Sequence, residues 1–331
     1  MKSKKVAKRR IQQIAVLTSG GDAPGMNCAV RAVVRTAAFH GIKTLGIYRG
    51  YDGLLNREFK ELKISDVGGI INRGGTILLS ARCAEMYQQE GQEKAAGILK
   101  ELGVDALVAV GGDGTYRGGH AIHKFSGIPV IGVPGTIDND ISGTDFTIGF
   151  ATAVNTALDA IDKIRDTATS HERLFVVEVM GRHAGFIALE TAIAGGAEAV
   201  LMPEVPYDLV EIFTRIEEGT KRGKLSSIVV VAEGAGSSME IAYRIEKTLG
   251  LDVRVAVIGH LQRGGIPVAP DRVLAARLGK AAVDVLLQGE TGAKMVGVIS
   301  GKISVHDLEH CWTHTKKIDA EMVDLARVLA I

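Results

Sequence analysis

A chain of 331 residues, 46% hydrophobic and 23% charged, is long enough for two domains and too apolar for an intrinsically disordered one. Lys and Arg number 39 against 38 Asp and Glu, a formal net charge of +1, which excludes binding of nucleic acid or membrane by bulk charge but leaves room for a local basic pocket. No window approaches the ~18 apolar residues of a membrane span.

The opening MKSKKVAKRRIQQ is basic and lacks the apolar run of a signal peptide, so it is expected to be a solvated tail. After it, short β-branched runs alternate with amphipathic stretches. A strand is predicted over 13–18, a helix over 26–40, a strand over 44–48, a helix over 89–102, and strands over 106–110 and 130–133. A helix over 150–167 follows, then strands over 174–179, 199–202, 228–232 and 253–258, a helix over 272–288, and a strand over 294–299. Such alternation predicts an α/β protein with mostly parallel sheets covered by helices. Runs such as IVVVA at 228–232 have no polar alternation, as expected of strands buried on both faces. There is no short-period repeat and no long linker. Ligands are expected at the carboxyl ends of the strands.

The isolated cysteines Cys28, Cys83 and Cys311 have neither metal-ligand spacing nor a disulfide framework, which suits a reducing cytoplasm. Glycine is the excess that informs. It numbers 41, about 12% against an average near 7%, with only 7 prolines. The glycines cluster beside apolar runs, the pattern of tight strand-to-helix turns.

Five motifs carry chemistry, and all fall at strand ends. AVLTSGGDAPGMN, residues 15–27, is a glycine turn whose backbone N–H groups can meet phosphate; a plain tight turn reads equally well. AVGGDGTYRGG, residues 109–119, sets Asp113 among glycines, and a carboxylate beside phosphate oxygens is how Mg²⁺ is commonly held. PGTIDNDISGTDFTIG, residues 134–149, packs Asp138, Asp140 and Asp145 into eight residues. Two acids so spaced can divide base and metal roles, or can simply make Asx turns. SHERLFVVEVMGRHAGF, 170–186, and RVAVIGHLQRGGIPVAPDR, 254–272, place Arg173, Arg182, Arg254 and Arg263 at strand ends with His260. Arginine forks suit phosphate, although any one of them could be a surface ion pair and His260 a core histidine.

The strings LTSGGDAPGMN, INRGGT, GGDGT, PGTIDND, DTATSHER, VVEVMGR and GHLQRGG, in this order, resemble bacterial ATP-dependent 6-phosphofructokinase from about residue 14 to residue 292. The resemblance implies two Rossmann-like three-layer lobes: a larger ATP/Mg-binding lobe of 1–147 plus 261–312, and a smaller fructose-6-phosphate-binding lobe of 148–260 plus 313–331. It implies a homotetramer and ATP-dependent phosphorylation of fructose 6-phosphate at its 1-hydroxyl, the committed step of glycolysis. By the same resemblance Asp138 is the base, flanked by Thr136 and Asp140, and Asp113 holds Mg²⁺. Gly21, Arg82, Cys83, Gly112, Asp113, Gly114 and Thr115 match ATP-binding positions, with Tyr51 as a base-packing residue. Arg82 and Arg182 would meet charge on the transferring phosphoryl. Thr136, Ile137, Asp138, Met180, Gly181, Arg182, Glu233, His260, Leu261, Gln262 and Arg263 match sugar-phosphate positions. Arg173 and Arg254 match residues that reach the 6-phosphate from a neighbouring subunit.

An effector site, where ADP activates and phosphoenolpyruvate inhibits, is implied at Arg31, Arg35, Arg165, Gly196, Ala197, Glu198, Arg222 and Lys224. Two departures bear on it: Ile64 stands where some relatives carry arginine, and Leu225 replaces a common lysine. Pyrophosphate-dependent relatives typically read GGDD and PKTIDND, whereas this chain has Gly114 and Gly135. NAD and lipid kinases can share GGDGT, but TIDND and MGR argue against them. A non-catalytic nucleotide sensor would be expected to lack Asp138 or Arg182, and both are present.

Overall fold

The computed structural model describes residues 11–330. The basic run 1–10 of the expected tail lies outside the described residues. In chain order the elements are β1 (Gln13–Thr18), α1 (Met26–Phe39), β2 (Lys43–Ile47), α2 (Gly50–Leu55), β3 (Phe59–Leu62), α3 (Gln89–Glu101), β4 (Ala106–Gly111), α4 (Asp113–Ser126), β5 (Val130–Pro134), α5 (Phe150–Ser170) and β6 (Leu174–Val179). Then come α6 (Phe186–Gly195), β7 (Ala199–Leu201), α7 (Leu209–Lys221), β8 (Ser227–Ala232), α8 (Ser238–Leu249), β9 (Val253–Val257), α9 (Ala269–Leu287), β10 (Ala293–Ile299), β11 (Lys302–Asp307), α10 (His310–Thr313) and α11 (Ala320–Leu329).

The chain divides into two compact units. One comprises residues up to Thr136, Ile141–Gly149 and Ile266–Thr315; the other comprises Ile137–Asp140, Phe150–Gly265 and Lys316 onward. The first unit holds a seven-stranded sheet in the order β11-β10-β5-β4-β1-β2-β3. Its inner pairs are parallel, as the buried run ALVAVG of β4 requires, and its outermost pairs, β2 with β3 and β10 with β11, are antiparallel. Helix α1 packs on α9, and α3 on α4. The first contact is close because Gly279 has no Cβ; one built there would stand 2.7 Å from the Ala29 carbonyl oxygen.

The second unit holds a four-stranded, wholly parallel sheet in the order β7-β8-β6-β9. Its core joins Leu174 and Val176 of β6 and Val229 and Val231 of β8 to Ile212 of α7 and Ile241 and Ile245 of α8.

All nine predicted strands are present with ends within a residue. The two that sequence did not predict, β3 and β11, are edge strands. Both are largely exposed and carry Lys and acidic residues, so neither shows the apolar run of a buried strand. Helix α9 begins three residues before its predicted start, because Pro270 reads locally as a stop yet sits in the first turn, where its missing N–H leaves no hydrogen bond unmade. Arg254, expected at a strand end, is the second residue of β9.

Candidate active site

In the first unit, β1, β4 and β5 are parallel neighbours, so their carboxyl-end loops lie side by side. Those loops are bonded to one another. Ser19 N–H donates to the Val110 carbonyl at 3.0 Å, and the Thr115 hydroxyl donates to the Ser19 carbonyl at 3.0 Å. Gly135 N–H donates to the Gly111 carbonyl at 3.0 Å, and the Thr147 hydroxyl to the Thr136 carbonyl at 2.6 Å. Gly111 is required by this stitching: a Cβ there would stand 2.3 Å from the Thr115 hydroxyl oxygen and 2.5 Å from the Ser19 carbonyl oxygen.

The segment before Arg82 is fastened to the same turn. Asn27 donates to the Arg73 and Gly74 carbonyls and accepts from Ile77 N–H, and the Ser80 hydroxyl donates to the Gly20 carbonyl. Sequence reading missed Asn27 because its partners lie 46–50 residues away. Thus Gly21, Gly112–Thr115 and Thr136 share one end of one sheet, with Arg82 and Cys83 close along the chain from Ser80.

Gly114 differs from its neighbours. Nothing lies within 4 Å of a Cβ built on it, and its backbone is not in the left-handed region. Glycine in a helix costs ~0.5–1 kcal/mol against alanine. Packing within the chain therefore does not explain Gly114. By contrast, Gly135 is tight, with a built Cβ 3.1 Å from both Met26 and Val110 side chains.

Asp113 opens α4 with its side chain 45% exposed, and Arg117 one turn on is its partner. Among the described residues no group of three or more His, Cys, Asp or Glu could hold a metal ion. A single accessible carboxylate beside an open glycine fits a cation that brings phosphate ligands with it, as Mg²⁺ commonly does.

Tyr51 is a correction. The residue is 4% exposed, and its ring packs so closely on Gly118 that a Cβ there would stand 2.6 Å from the ring. Its hydroxyl donates to the Thr115 carbonyl at 2.5 Å. Tyr51 is thus a core support of the α4 start, not a surface on which a base could stack.

In the second unit a turn at Ile137 and Asp138 leads into Asn139, which adopts left-handed φ 54, a conformation asparagine tolerates, and then Asp140. Ile137 is buried. Burial, and then the neighbouring charge of Asp140, raises the Asp138 carboxyl to about 6, with Arg263 and Arg182 opposing. This is the range of a base near neutral pH.

The loop 180–182 is held by two acceptors. Glu233 takes N–H bonds from Gly181 at 3.2 Å and Arg182 at 2.6 Å, and Gln262 takes the Met180 N–H at 2.8 Å. Gln262 is wholly buried and also donates to the Ala153 carbonyl, so its side chain serves the loop's shape. Arg182 sits at φ 59, an uncommon conformation for a non-glycine residue that functional sites often retain. Arg182, Leu261 and His260 are exposed, and Arg263 half-buried.

The four arginines do not share one place. Arg182 follows the carboxyl end of β6 and Arg263 the carboxyl end of β9. Arg173 precedes β6 and Arg254 is the second residue of β9, and the parallel register Leu174↔Val253 sets that pair at the opposite, amino end. The strand between them spans roughly 20 Å at about 3.3 Å per residue. Asp252, which sequence reading passed over, joins them: Arg173 donates to it at 2.6 Å and Arg254 at 3.1 Å. The Arg173 hydrogen bond holds the Asp252 carboxyl below its ordinary value. A signal was present in the Asp-Val-Arg spacing to Arg254, but nothing local points to Arg173, 79 residues away.

Of the predicted effector residues, Arg165 donates to the Gly195 and Gly196 carbonyls at the end of α6. Buried Glu198 accepts from Ile228 N–H and pairs with Lys224 at 2.5 Å. Arg222 is exposed, just past α7, and Ala197 is buried. Arg31 and Arg35 lie on α1, in the first unit, at one-turn spacing. Ile64 and Leu225 are both exposed.

A family model described as Phosphofructokinase matches residues 13–286. The chain is 54% identical to the ATP-dependent 6-phosphofructokinase of Bacillus subtilis (strain 168), over 97% of this chain and 100% of that one. It is similar to the solved phosphofructokinase of Saccharomyces cerevisiae, with TM-score 0.88 and 37% identity over 91% of this chain, and spans 45% of that longer one. A pyrophosphate-dependent phosphofructokinase from Marinobacter aquaeolei shares the fold at TM-score 0.83 and 24% identity, covering 97% of this chain and 92% of that one. No described helix is long and apolar enough to cross a membrane.

Proposed function

The chain belongs to the phosphofructokinase family, and on that premise we propose that it transfers the γ-phosphoryl group of ATP to the 1-hydroxyl of fructose 6-phosphate, the committed step of glycolysis in the cytoplasm. The observation that carries the mechanism is the Asp138 carboxyl at about 6. Such a group is ionised at neutral pH and still basic enough to accept a hydroxyl proton as the oxygen attacks phosphorus. Asp140 tunes that basicity by its charge. Arg182 and Arg82 stabilise charge developing on the transferring phosphoryl, since phosphoryl transfer is chiefly positioning and electrostatics. Mg²⁺ supplies further charge neutralisation when bound with ATP, and Asp113 is the residue that would hold it.

Backbone N–H groups of Gly21 and Gly112–Thr115 bind the nucleotide phosphates, and the open space at Gly114 supports a backbone approached by ligand. Thr136, Ile137, Met180, Gly181, Glu233, His260, Leu261, Gln262 and Arg263 form or shape the sugar-phosphate site, with Gln262 and Glu233 shaping the 180–182 loop. Arg173 and Arg254 serve the 6-phosphate of a neighbouring subunit in a homotetramer. Their place at the far end of the parallel strands from Arg182 and Arg263 supports this, because one chain cannot close both pairs on one sugar. A site completed by a second copy couples assembly to binding. ADP and phosphoenolpyruvate act at Arg31, Arg35, Arg165, Gly196–Glu198, Arg222 and Lys224.

The test is a coupled assay of fructose 6-phosphate turnover with ATP and with pyrophosphate, on the natural chain and on Asp138→Asn. ATP as the donor, with turnover lost in the variant, is the expected outcome. Pyrophosphate as the better donor would overturn the reading of Gly114. Undiminished turnover in the variant would overturn the reading of Asp138.

A further inference from the structure

One turn into α4 the Asp113 carboxylate meets a cation of the chain's own. Arg117 Nε donates to both carboxylate oxygens, at 3.2 and 3.0 Å. The guanidinium also lies over an aromatic face: its carbon stands 4.8 Å from the ring centroid of Trp312 in α10. Trp312 is itself fixed. It packs against the core of the first unit, and the His120 ring meets it edge-on at 5.7 Å while His120 Nε2 reaches Glu309 at 3.3 Å. Asp113, Arg117 and His120 share one stripe of α4, and Glu309 and Trp312 come from the chain nearly two hundred residues on.

An exposed ion pair alone carries little, because water screens it. Here the arrangement is more specific than a pair. A guanidinium on an aromatic face has a second attraction that does not depend on the carboxylate. It therefore has a resting place when the carboxylate is taken. Both oxygens of Asp113 are covered by one N–H, and Mg²⁺ demands a carboxylate oxygen at about 2.0–2.1 Å in near-octahedral geometry. Arg117 Nε bridges the two Asp113 oxygens, so a divalent cation that approaches from that side of the carboxylate takes the place of the guanidinium.

Resting on the reading of Asp113 above, we propose that Arg117 is a positioning residue that holds the Asp113 carboxylate in place of a metal ion and yields it to the metal–nucleotide complex, with Trp312 as the seat that retains the displaced guanidinium. Trp312 is the only tryptophan in the chain, so its emission reports this exchange directly. Arg117 also competes with the metal, so its removal tightens metal binding instead of weakening it, the reverse of what a structural support would do.

The experiment uses the full chain saturated with a non-hydrolysable ATP analogue. Mg²⁺ is titrated while Trp312 emission is recorded, and Mn²⁺ is titrated separately while free ion is read by electron paramagnetic resonance. In the natural chain emission changes along the Mg²⁺ titration. In Arg117→Met the Mg²⁺-dependent change is lost, and Mn²⁺ half-saturation falls by about two- to fivefold, the worth of an exposed ion pair expressed as affinity. In Asp113→Asn the emission change is lost and Mn²⁺ binding weakens. If Arg117→Met binds Mn²⁺ no tighter than the natural chain, or keeps its emission change, the exchange does not occur, whatever Asp113→Asn shows. If Asp113→Asn binds Mn²⁺ as the natural chain does, the metal reading of Asp113 falls and the exchange with it.

Discussion

Replacing Asp138 by asparagine should remove activity and, at the same time, stabilise the fold in a pH-dependent way. Burial and the charge of Asp140 lift this carboxyl from 3.8 to about 6. At about 1.4 kcal/mol per pH unit, holding it ionised costs the folded state at most about 3 kcal/mol. Partial solvent contact at Asp138 reduces this to an expected 1–2 kcal/mol, by rough discount for screening. The sign follows from the raised value. Above pH 6 the carboxylate is charged in both folded and unfolded chains, and the full cost is present. As pH falls from 6 toward 3.8 the folded form takes up its proton first, and the cost disappears. Asparagine carries no such charge at any pH. Asp138→Asn should therefore melt higher than the natural chain at pH 8, and the gap should narrow by pH 5. Calorimetry at the two pH values reads this, each kcal/mol being worth about 2–4 °C in a domain of this size class. Turnover should drop by ~10²–10⁴. A gap that is the same at pH 8 and pH 5, or a variant keeping a third of natural kcat, would refute the placement of a buried base with a raised carboxyl at Asp138.

Asp140→Asn should move the acid limb of kcat/KM, expected near pH 6, downward by less than about one pH unit, because burial outweighs the Asp140 charge; an unmoved limb on a pH–rate profile would separate that limb from Asp138. Gly114→Ala should raise thermal stability by up to about 1 kcal/mol while raising KM for ATP and leaving fructose 6-phosphate binding near natural. A stabilised variant with unchanged KM for ATP would mean that no ligand approaches Gly114. Replacing Arg31 and Arg35 together by alanine should leave maximal velocity near natural but blunt the response of the fructose 6-phosphate saturation curve to ADP and phosphoenolpyruvate, by loss of charge-assisted contacts. Saturation curves at fixed ATP with each effector check this, and an undiminished shift in the double variant places the effectors elsewhere.

The α/β class, the nine predicted strands and the glycine turns at strand ends were legible in the sequence because each rests on neighbours along the chain. A strand buried on both faces must be an apolar run, and a turn that admits no Cβ must be glycine, as at Gly111. These are local demands, and local composition answers them. The edge strands β3 and β11 escaped because half-exposed strands need no such run. What only the tertiary structure decided is which distant groups meet. Tyr51 belongs to the core because α4 brings Gly118 against its ring. Arg117 finds Trp312, and Arg173 finds Asp252, across separations that no periodicity encodes. The parallel register of β6 and β9 sends four similar arginines to two opposite ends of one sheet. A side chain's identity is written in the sequence, but its partner is set by the register and packing of elements far apart in the chain, where hydrogen bonds and charge act over a few ångströms of space and take no account of distance along the backbone.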